Sequence, residues 1–63
     1  MSRRSEILDG KIHDAAYSEF YEKGFMDASV RGIAYRAGVT IGALYSRYNS
    51  KEELFLSCVS DLI

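Results

Sequence analysis

Apolar residues recur at a helical spacing through most of the chain. In the first segment they stand at every fourth position, with polar residues between them, which is the pattern of an amphipathic helix. They are Leu8, Ile12, Ala16 and Phe20. The spacing predicts a helix 1 that runs to about Lys23, where Gly24 can adopt a positive φ and end it. We expect Phe25 to fold back onto the core.

Either Ser5 or Asp9 could be the N-cap of this helix, and the sequence does not decide between them. Gly10 then lies inside the helix at a cost of roughly 1 kcal/mol relative to alanine. The preceding residues 1–4 read as a frayed basic arm, because termini of this composition are usually disordered.

Two shorter helices should follow a connection at residues 26–28. Ser29 is the best N-cap for helix 2, whose apolar positions are Val30, Ile33, Ala34 and Ala37. Gly38 should end helix 2 in the left-handed conformation. Thr40 can cap helix 3, predicted to continue to Tyr48 with Leu44 and Tyr48 facing the core.

A fourth helix is predicted from a capping box in which Ser50 is the cap and Glu53 the N3 residue. Its apolar stripe continues to the last residues of the chain through Leu54, Phe55, Cys58, Val59 and Leu62. The fold class is therefore all-α: a three-helix, homeodomain-like helix-turn-helix domain plus the start of a fourth helix. We expect an arm and helix start at 1–10, a helix-turn-helix domain at 11–54 with its motif at 29–48, and the start of helix 4 at 55–63.

Composition narrows the class of protein. The 63 residues suffice for one small domain, and a single cysteine, Cys58, allows no internal disulfide or zinc-finger spacing. No apolar run reaches the ~20 residues of a membrane span, and residues 1–10 lack the apolar region that a signal peptide would have. These features favour the cytoplasm and give no sign of a metal or cofactor.

Charge is sorted along the chain although the net charge is only −1. Between Ala28 and Lys51 there is no acidic residue, whereas Arg31, Arg36 and Arg47 lie in that stretch. A duplex phosphate backbone would be attracted to such a segment. In a helix-turn-helix, helix 3 would enter the major groove while helix 2 lies across the backbone.

The predicted DNA-contact residues divide by chemistry. Ser29 and Thr40 would present a hydroxyl and helix N-terminal amides to phosphates, Arg47 and Lys51 would add charge, and Arg31 is the best candidate to read a guanine edge. Ile41 and Ala43 can offer only apolar contact, Gly42 lets the backbone approach closely, and Tyr45 can reach a phosphate or sugar. The full set is Ser29, Arg31, Thr40, Ile41, Gly42, Ala43, Tyr45, Arg47 and Lys51.

Structural roles are expected for other conspicuous side chains. Arg36 should be solvated or paired with an acid of helix 1. His13 should be an exposed helix residue and Cys58 a small buried hydrophobe, with neither acting as ligand or nucleophile. Core-edge positions with wet hydroxyls are expected for Tyr17, Tyr21 and Tyr35.

From Lys11 to Leu54 the chain resembles the N-terminal DNA-binding domain of TetR-family transcriptional regulators. The motifs that carry the resemblance are Glu22-Lys23-Gly24-Phe25, Ser29-Val30-Arg31, Ala37-Gly38-Val39, Leu44-Tyr45 and Ser50-Lys51-Glu52. The family commonly has Lys, Thr and His at the positions of Ile41, Ala43 and Arg47, so the operator sequence is not implied. The family often has Asp at the position of Gly32 and an apolar residue at the position of Glu19. Helix 1 of this chain should therefore pack differently near Glu19.

The resemblance also implies partners beyond DNA. Similar proteins carry a C-terminal helical domain that binds a small-molecule inducer and forms a homodimer, and the apolar face of helix 4 would pack on that domain. The function implied is a ligand-responsive repressor binding a double-stranded operator.

Two other classes compete with DNA binding. A small helical protein-protein interaction module would need an exposed apolar strip on helices 2 and 3, whereas this face is small, polar and basic. An enzyme is disfavoured because the sequence offers no set of nucleophile, base and orienting group, so no catalytic residue is predicted.

Overall fold

The computed structural model describes the backbone of residues 3–60 and the side chains of residues 7–60. Four helices follow one another: α1 (Arg3–Asp27), α2 (Val30–Ala37), α3 (Ile41–Tyr45) and α4 (Lys51–Ser60). The all-α prediction is confirmed. Within the described part of the chain no helix is long and apolar enough to cross a membrane.

Helix α1 begins earlier than either predicted cap. Arg3 and Arg4 are already helical, so the prediction of a frayed arm at these two residues was wrong; Met1 and Ser2 lie outside the described residues. At the other end, Gly24 has a φ of 78° and breaks the helix as predicted. The chain then resumes one helical turn, closed by the amide of Ala28 donating to the carbonyl of Gly24 at 3.0 Å. The expected irregular connection at residues 26–28 is therefore mostly helical.

That extra turn is supported by aromatic packing. Phe25 stacks on Phe20 with ring centroids 5.9 Å apart, and both contact the edge or face of Phe55 at 5.2 and 5.1 Å. Phe25 thus folds back as predicted, but onto the partly buried Phe20 and Phe55 rather than among the buried core residues.

One hydrophobic core joins all four helices. Its buried members are Ile12, Ala15, Ala16, Ile33, Ala34, Leu44, Leu54 and Cys58. The predicted apolar stripes are confirmed, and so is the buried position of Cys58. Burial of these apolar side chains is the main favourable term for so small a chain.

Helix α3 is shorter than predicted and ends at Tyr45. The hydroxyl of Ser46 donates to the carbonyl of Ala43 at 2.7 Å, and the amides of Arg47 and Tyr48 both donate to the carbonyl of Leu44 at 3.0 Å. These bonds close the helix in a tight turn. Tyr48 still packs against the core, as the sequence predicted.

Helix α4 begins where the capping box placed it. The amide of Glu53 donates to the hydroxyl of Ser50 at 3.1 Å. Leu54 and Cys58 are buried on the predicted stripe, while Leu62 and Ile63 lie outside the described residues.

Two predictions about polar aromatic side chains were wrong. Tyr21 and Tyr35 are 83% and 87% exposed, and therefore protrude into solvent rather than lining the core. His13 is partly buried instead of exposed, and its Nε2 lies 2.9 Å from the hydroxyl of Tyr48 and 3.0 Å from that of Ser57. Local spacing could not reveal this bridge, because its partners are distant in sequence.

Candidate nucleic-acid interface

The turn between α2 and α3 has the geometry that a helix-turn-helix requires. Gly38 is left-handed, with φ 74° and ψ 30°. Its amide donates to the carbonyl of Tyr35 at 3.2 Å, and the amide of Val39 donates to that of Ala34 at 3.0 Å. This is a Schellman motif, which satisfies the last carbonyls of α2 and lets α3 start three residues later. The predicted role of Gly38 is confirmed.

Both helices of the motif are capped by the predicted hydroxyl residues. The side-chain oxygen of Ser29 accepts from the amide of Gly32 at 2.9 Å, and that of Thr40 accepts from the amide of Ala43 at 3.0 Å. Ser29 and Thr40 are both exposed, so their hydroxyl hydrogens remain available to an acceptor outside the chain.

The outer surface of α3 is thin. Gly42 is exposed, and a Cβ placed on it would have only the hydroxyl oxygen of Thr40, at 3.9 Å, within reach. Tyr45 is 47% exposed on the same short helix. Ala43 is half-buried, and Ile41 packs partly against the core, so Ile41 offers less outward surface than the sequence suggested.

The four basic residues between Ala28 and Lys51, counting Lys51, differ in whether their charges are already paired within the chain. Arg31 is exposed and has no hydrogen-bond or ion-pair partner among residues 7–60. Arg47 forms an ion pair with Asp9 of α1. Arg36 donates to Glu19 at 3.0 Å and to Glu22 at 2.5 Å. Of the two alternatives expected for Arg36, solvation or pairing with an acid of helix 1, the structure has the pairing.

Lys51 turns its amino group into the protein. Nζ donates to the carbonyls of Phe25 at 2.7 Å and Ala28 at 3.1 Å, with Met26 farther away at 3.4 Å. It also lies 4.5 Å from the centroid of the Phe25 ring. Lys51 therefore stabilises the end of the turn after Gly24, and its charge is less available to a phosphate than the sequence predicted.

Glu19 is the largest departure from the expected core, because its carboxylate is fully buried. Oε2 accepts from the backbone amide of Ser29 at 3.1 Å and lies 3.2 Å from Nζ of Lys23, while Oε1 accepts from Arg36. These contacts join α1 to the N-terminus of α2. The sequence signal was an acidic residue on the apolar side of helix 1, but its partners were not identifiable from spacing.

The same contacts shift pKa values in opposite directions for acids and base. Burial raises the pKa of Glu19, but hydrogen bonds from Ser29, Lys23 and Arg36 outweigh it, so the pKa is lowered overall. The hydrogen bond from Arg36 likewise lowers the pKa of Glu22, and Glu22 in turn raises the pKa of Arg36. All three groups are thus charged at neutral pH.

The sequence profile of the bacterial regulatory proteins of the tetR family matches residues 12–58. The chain belongs to the TetR family. The matched range includes α2, the Schellman turn, α3 and most of α4, so the resemblance inferred from the motifs is confirmed.

Several curated regulators are similar to this TetR-family chain. The HTH-type transcriptional repressor KstR2 of Mycobacterium tuberculosis is 42% identical over 53 residues, which cover 84% of this chain and 24% of that protein. The HTH-type transcriptional regulator SrpR of Pseudomonas putida is 46% identical over 44 residues, covering 70% and 21%. TtgR, also an HTH-type transcriptional regulator of Pseudomonas putida, is 38% identical over 52 residues, covering 82% and 25%.

This TetR-family chain thus spans about a quarter of the length of the curated relatives it matches. No solved structure matches the chain. Within the side chains that the structure describes, no group of three or more His, Cys, Asp or Glu residues is arranged to hold a metal ion.

Proposed function

We propose that this chain is the DNA-binding part of a transcriptional regulator, with α3 entering the major groove of a double-stranded operator. The observation that carries the proposal is the exposed, thin outer surface of α3, held by the Schellman turn after α2. Membership of a family of bacterial regulatory proteins supports the same function.

The proposed contacts follow from exposure and chemistry. Arg31 is the principal cation, reading a guanine edge or binding a phosphate, and the hydroxyls of Ser29 and Thr40 donate to phosphates. Gly42 lets the backbone approach the base edges. Ala43 and the exposed part of Ile41 contact thymine methyl groups, and Tyr45 reaches a sugar or phosphate.

Arg47 and Lys51 have different parts in this proposal. Arg47 can contact a phosphate once it leaves Asp9. Lys51 acts mainly by position, because its amino group is already bonded to backbone carbonyls of the α1 end. We therefore expect Lys51 to contribute more to stability than to DNA contact.

The rest of the regulator is proposed from the resemblance. A further C-terminal domain would form a homodimer, bind a small-molecule inducer and place two α3 helices about 34 Å apart along the duplex in the cytoplasm. It would cover the groove of about 210 Å³ between α1 and α4, which is lined by Tyr17, Phe20, Tyr21, Phe55, Cys58 and Val59. Sedimentation of the longer gene product, with and without operator, tests the dimer.

A bulky residue on α3 tests the groove contact directly. Because a Cβ at Gly42 would meet only the Thr40 hydroxyl oxygen, at an ordinary contact distance of 3.9 Å, Gly42→Leu should fold like the wild type. It should nevertheless lose operator binding by at least about tenfold, since the larger side chain holds the backbone away from the base edges. The operator is first selected from a random oligonucleotide pool, and affinity is measured by fluorescence anisotropy. Gly10→Leu on α1 is the matched control, because a Cβ at residue 10 meets nothing within 4 Å. Equal affinity of Gly42→Leu and wild type would contradict the proposal.

A further inference from the structure

The acid that binds Arg47 is the starting point for a second proposal. Asp9 and Arg47 are separated by 38 residues in sequence, and their side chains meet where α1 passes the turn that follows α3. The Asp9 side chain is 44% exposed and the Arg47 side chain 27% exposed. The pair is therefore accessible to solvent and to a phosphate.

We propose that Asp9 is a built-in competitor of DNA phosphate for Arg47, and this inference rests on the proposed DNA-binding function. A carboxylate and a phosphate oxygen make the same charge-assisted hydrogen bonds with a guanidinium, so Arg47 cannot serve both fully at once. In the absence of DNA, the Arg47 guanidinium is bound to the Asp9 carboxylate. A DNA phosphate that binds Arg47 must displace this carboxylate, which is then an unpaired negative charge beside the DNA backbone.

Energetics permit such an exchange. Partly exposed ion pairs are weak and are screened by salt, so a duplex with its dense phosphate charge can compete for the arginine. The other described basic residues near α3 are less exchangeable: Arg36 is shared by two carboxylates, one fully buried, and Lys51 is bonded to backbone carbonyls. Among the described basic residues near α3 that are already paired, Arg47 is therefore the one that can exchange its partner for a DNA phosphate most easily, and Asp9 opposes that exchange.

The neighbouring contacts explain why displacement need not disturb α3. Tyr48, next to Arg47, remains packed on the core, and its hydroxyl is hydrogen-bonded to His13 one turn after Asp9 on α1. The backbone of the turn is held by the carbonyl of Leu44. Only the Arg47 side chain has to move.

The test compares Asp9→Asn with Asp14→Asn in the 63-residue chain. Both variants remove one negative charge from α1, but no described residue forms an ion pair with Asp14. Binding to a random-sequence 20-bp duplex is followed by anisotropy across a salt series. Asp9→Asn should bind roughly two- to fivefold more tightly than Asp14→Asn, the range expected for loss of a weak exposed pair. Its log affinity should fall more steeply with log salt, by up to about 0.9.

The variant Arg47→Met, alone and combined with Asp9→Asn, completes a double-variant cycle that measures the coupling between the two residues. If Asp9 acts on Arg47, the gain from Asp9→Asn must disappear in the Arg47→Met background. An unchanged gain in that background, or weaker binding of Asp9→Asn than of Asp14→Asn, overturns the competitor role, and the latter result shows that Asp9 orients Arg47 toward DNA. Failure of the wild type and all variants to bind any duplex overturns the proposed function itself, so the two failures are distinguishable.

Discussion

The carboxylate of Glu19 occupies the space that a side chain at residue 32 would need. A Cβ built on Gly32 would lie 2.5 Å from Oε2 of Glu19 and 3.0 Å from the hydroxyl oxygen of Ser29. This carboxylate is not free to swing aside, since Ser29, Lys23 and Arg36 bind it and it is fully buried. The two departures from the family pattern, Glu19 and Gly32, are therefore parts of one arrangement.

This relationship predicts non-additive effects on stability. Gly32→Ala should destabilise the chain by up to about 2 kcal/mol, because overpacking costs about 1–3 kcal/mol and alanine recovers about 1 kcal/mol of helix propensity. In a Glu19→Ala background the same change should cost less, because only the contact with the Ser29 hydroxyl oxygen at 3.0 Å remains to oppose the gain in helix propensity. Urea unfolding of the four proteins measures the coupling.

Gly10→Ala is the control for helix propensity, since a Cβ there meets nothing within 4 Å. It should stabilise the chain by up to about 1 kcal/mol. If Gly32→Ala behaved like Gly10→Ala in the wild-type background, the carboxylate would have moved and the close approach would not matter.

The buried carboxylate also predicts a pH dependence. The pKa of Glu19 in the folded chain is below its ordinary value of 4.5, which the unfolded chain retains. The unfolded state therefore binds the proton first on acidification, and the stabilisation present above pH 4.5 is lost as the pH falls through the lower native pKa. The difference in unfolding free energy between wild type and Glu19→Gln should shrink over that window. A difference that stays constant from pH 7 to pH 3 would contradict this assignment.

Substitutions of the two arginines on α2 should have opposite effects, one on DNA binding and the other on stability. Arg31→Ala should change stability by no more than about 0.5 kcal/mol, because the side chain is exposed and unpaired among the described residues. It should weaken duplex binding and reduce the salt slope by about 0.9. Anisotropy titrations and urea unfolding measure the two effects on the same samples.

Arg36→Ala should show the opposite result. Its loss leaves the buried Glu19 with fewer donors, which should cost about 1–3 kcal/mol of stability, while the salt slope stays unchanged. A reduced slope for Arg36→Ala at full folding would show that this arginine leaves its two carboxylates to bind DNA.

Lys51 is expected to act on the fold. Lys51→Met removes the donor from the carbonyls of Phe25 and Ala28 and should cost about 1–2 kcal/mol. The conservative Lys51→Arg should recover part of that loss, because a guanidinium can still donate there. A variant Lys51→Met of wild-type stability but with a flatter salt slope would instead support the original prediction of a phosphate contact.

Much of the fold followed from local sequence signals. The caps Ser29, Thr40 and Ser50 and the left-handed Gly38 all stand where predicted, because each acts through hydrogen bonds only a few residues away. The end of α3 was misjudged, since the bonds that close it at Leu44 compete with an otherwise acceptable helical pattern.

Long-range pairing explains what was missed in the candidate interface. The sequence showed that basic residues are collected in one segment and allowed Arg36 to pair with an acid of helix 1. It did not show that Asp9 reaches Arg47, or that Glu19 and Glu22 are the acids that bind Arg36. The charge available to DNA is therefore smaller than the sequence implies, and Arg31 carries more of it.

The sequence by itself determined the four helices, the capping residues of α2, α3 and α4, the core stripe and the family, because periodicity and capping are properties of neighbouring positions. Only the tertiary structure decided which cations are free, why Glu19 requires glycine at residue 32, and where His13 lies. These depend on side chains from separate helices meeting at hydrogen-bond distance, and the packing of α1 against the rest of the chain sets those distances.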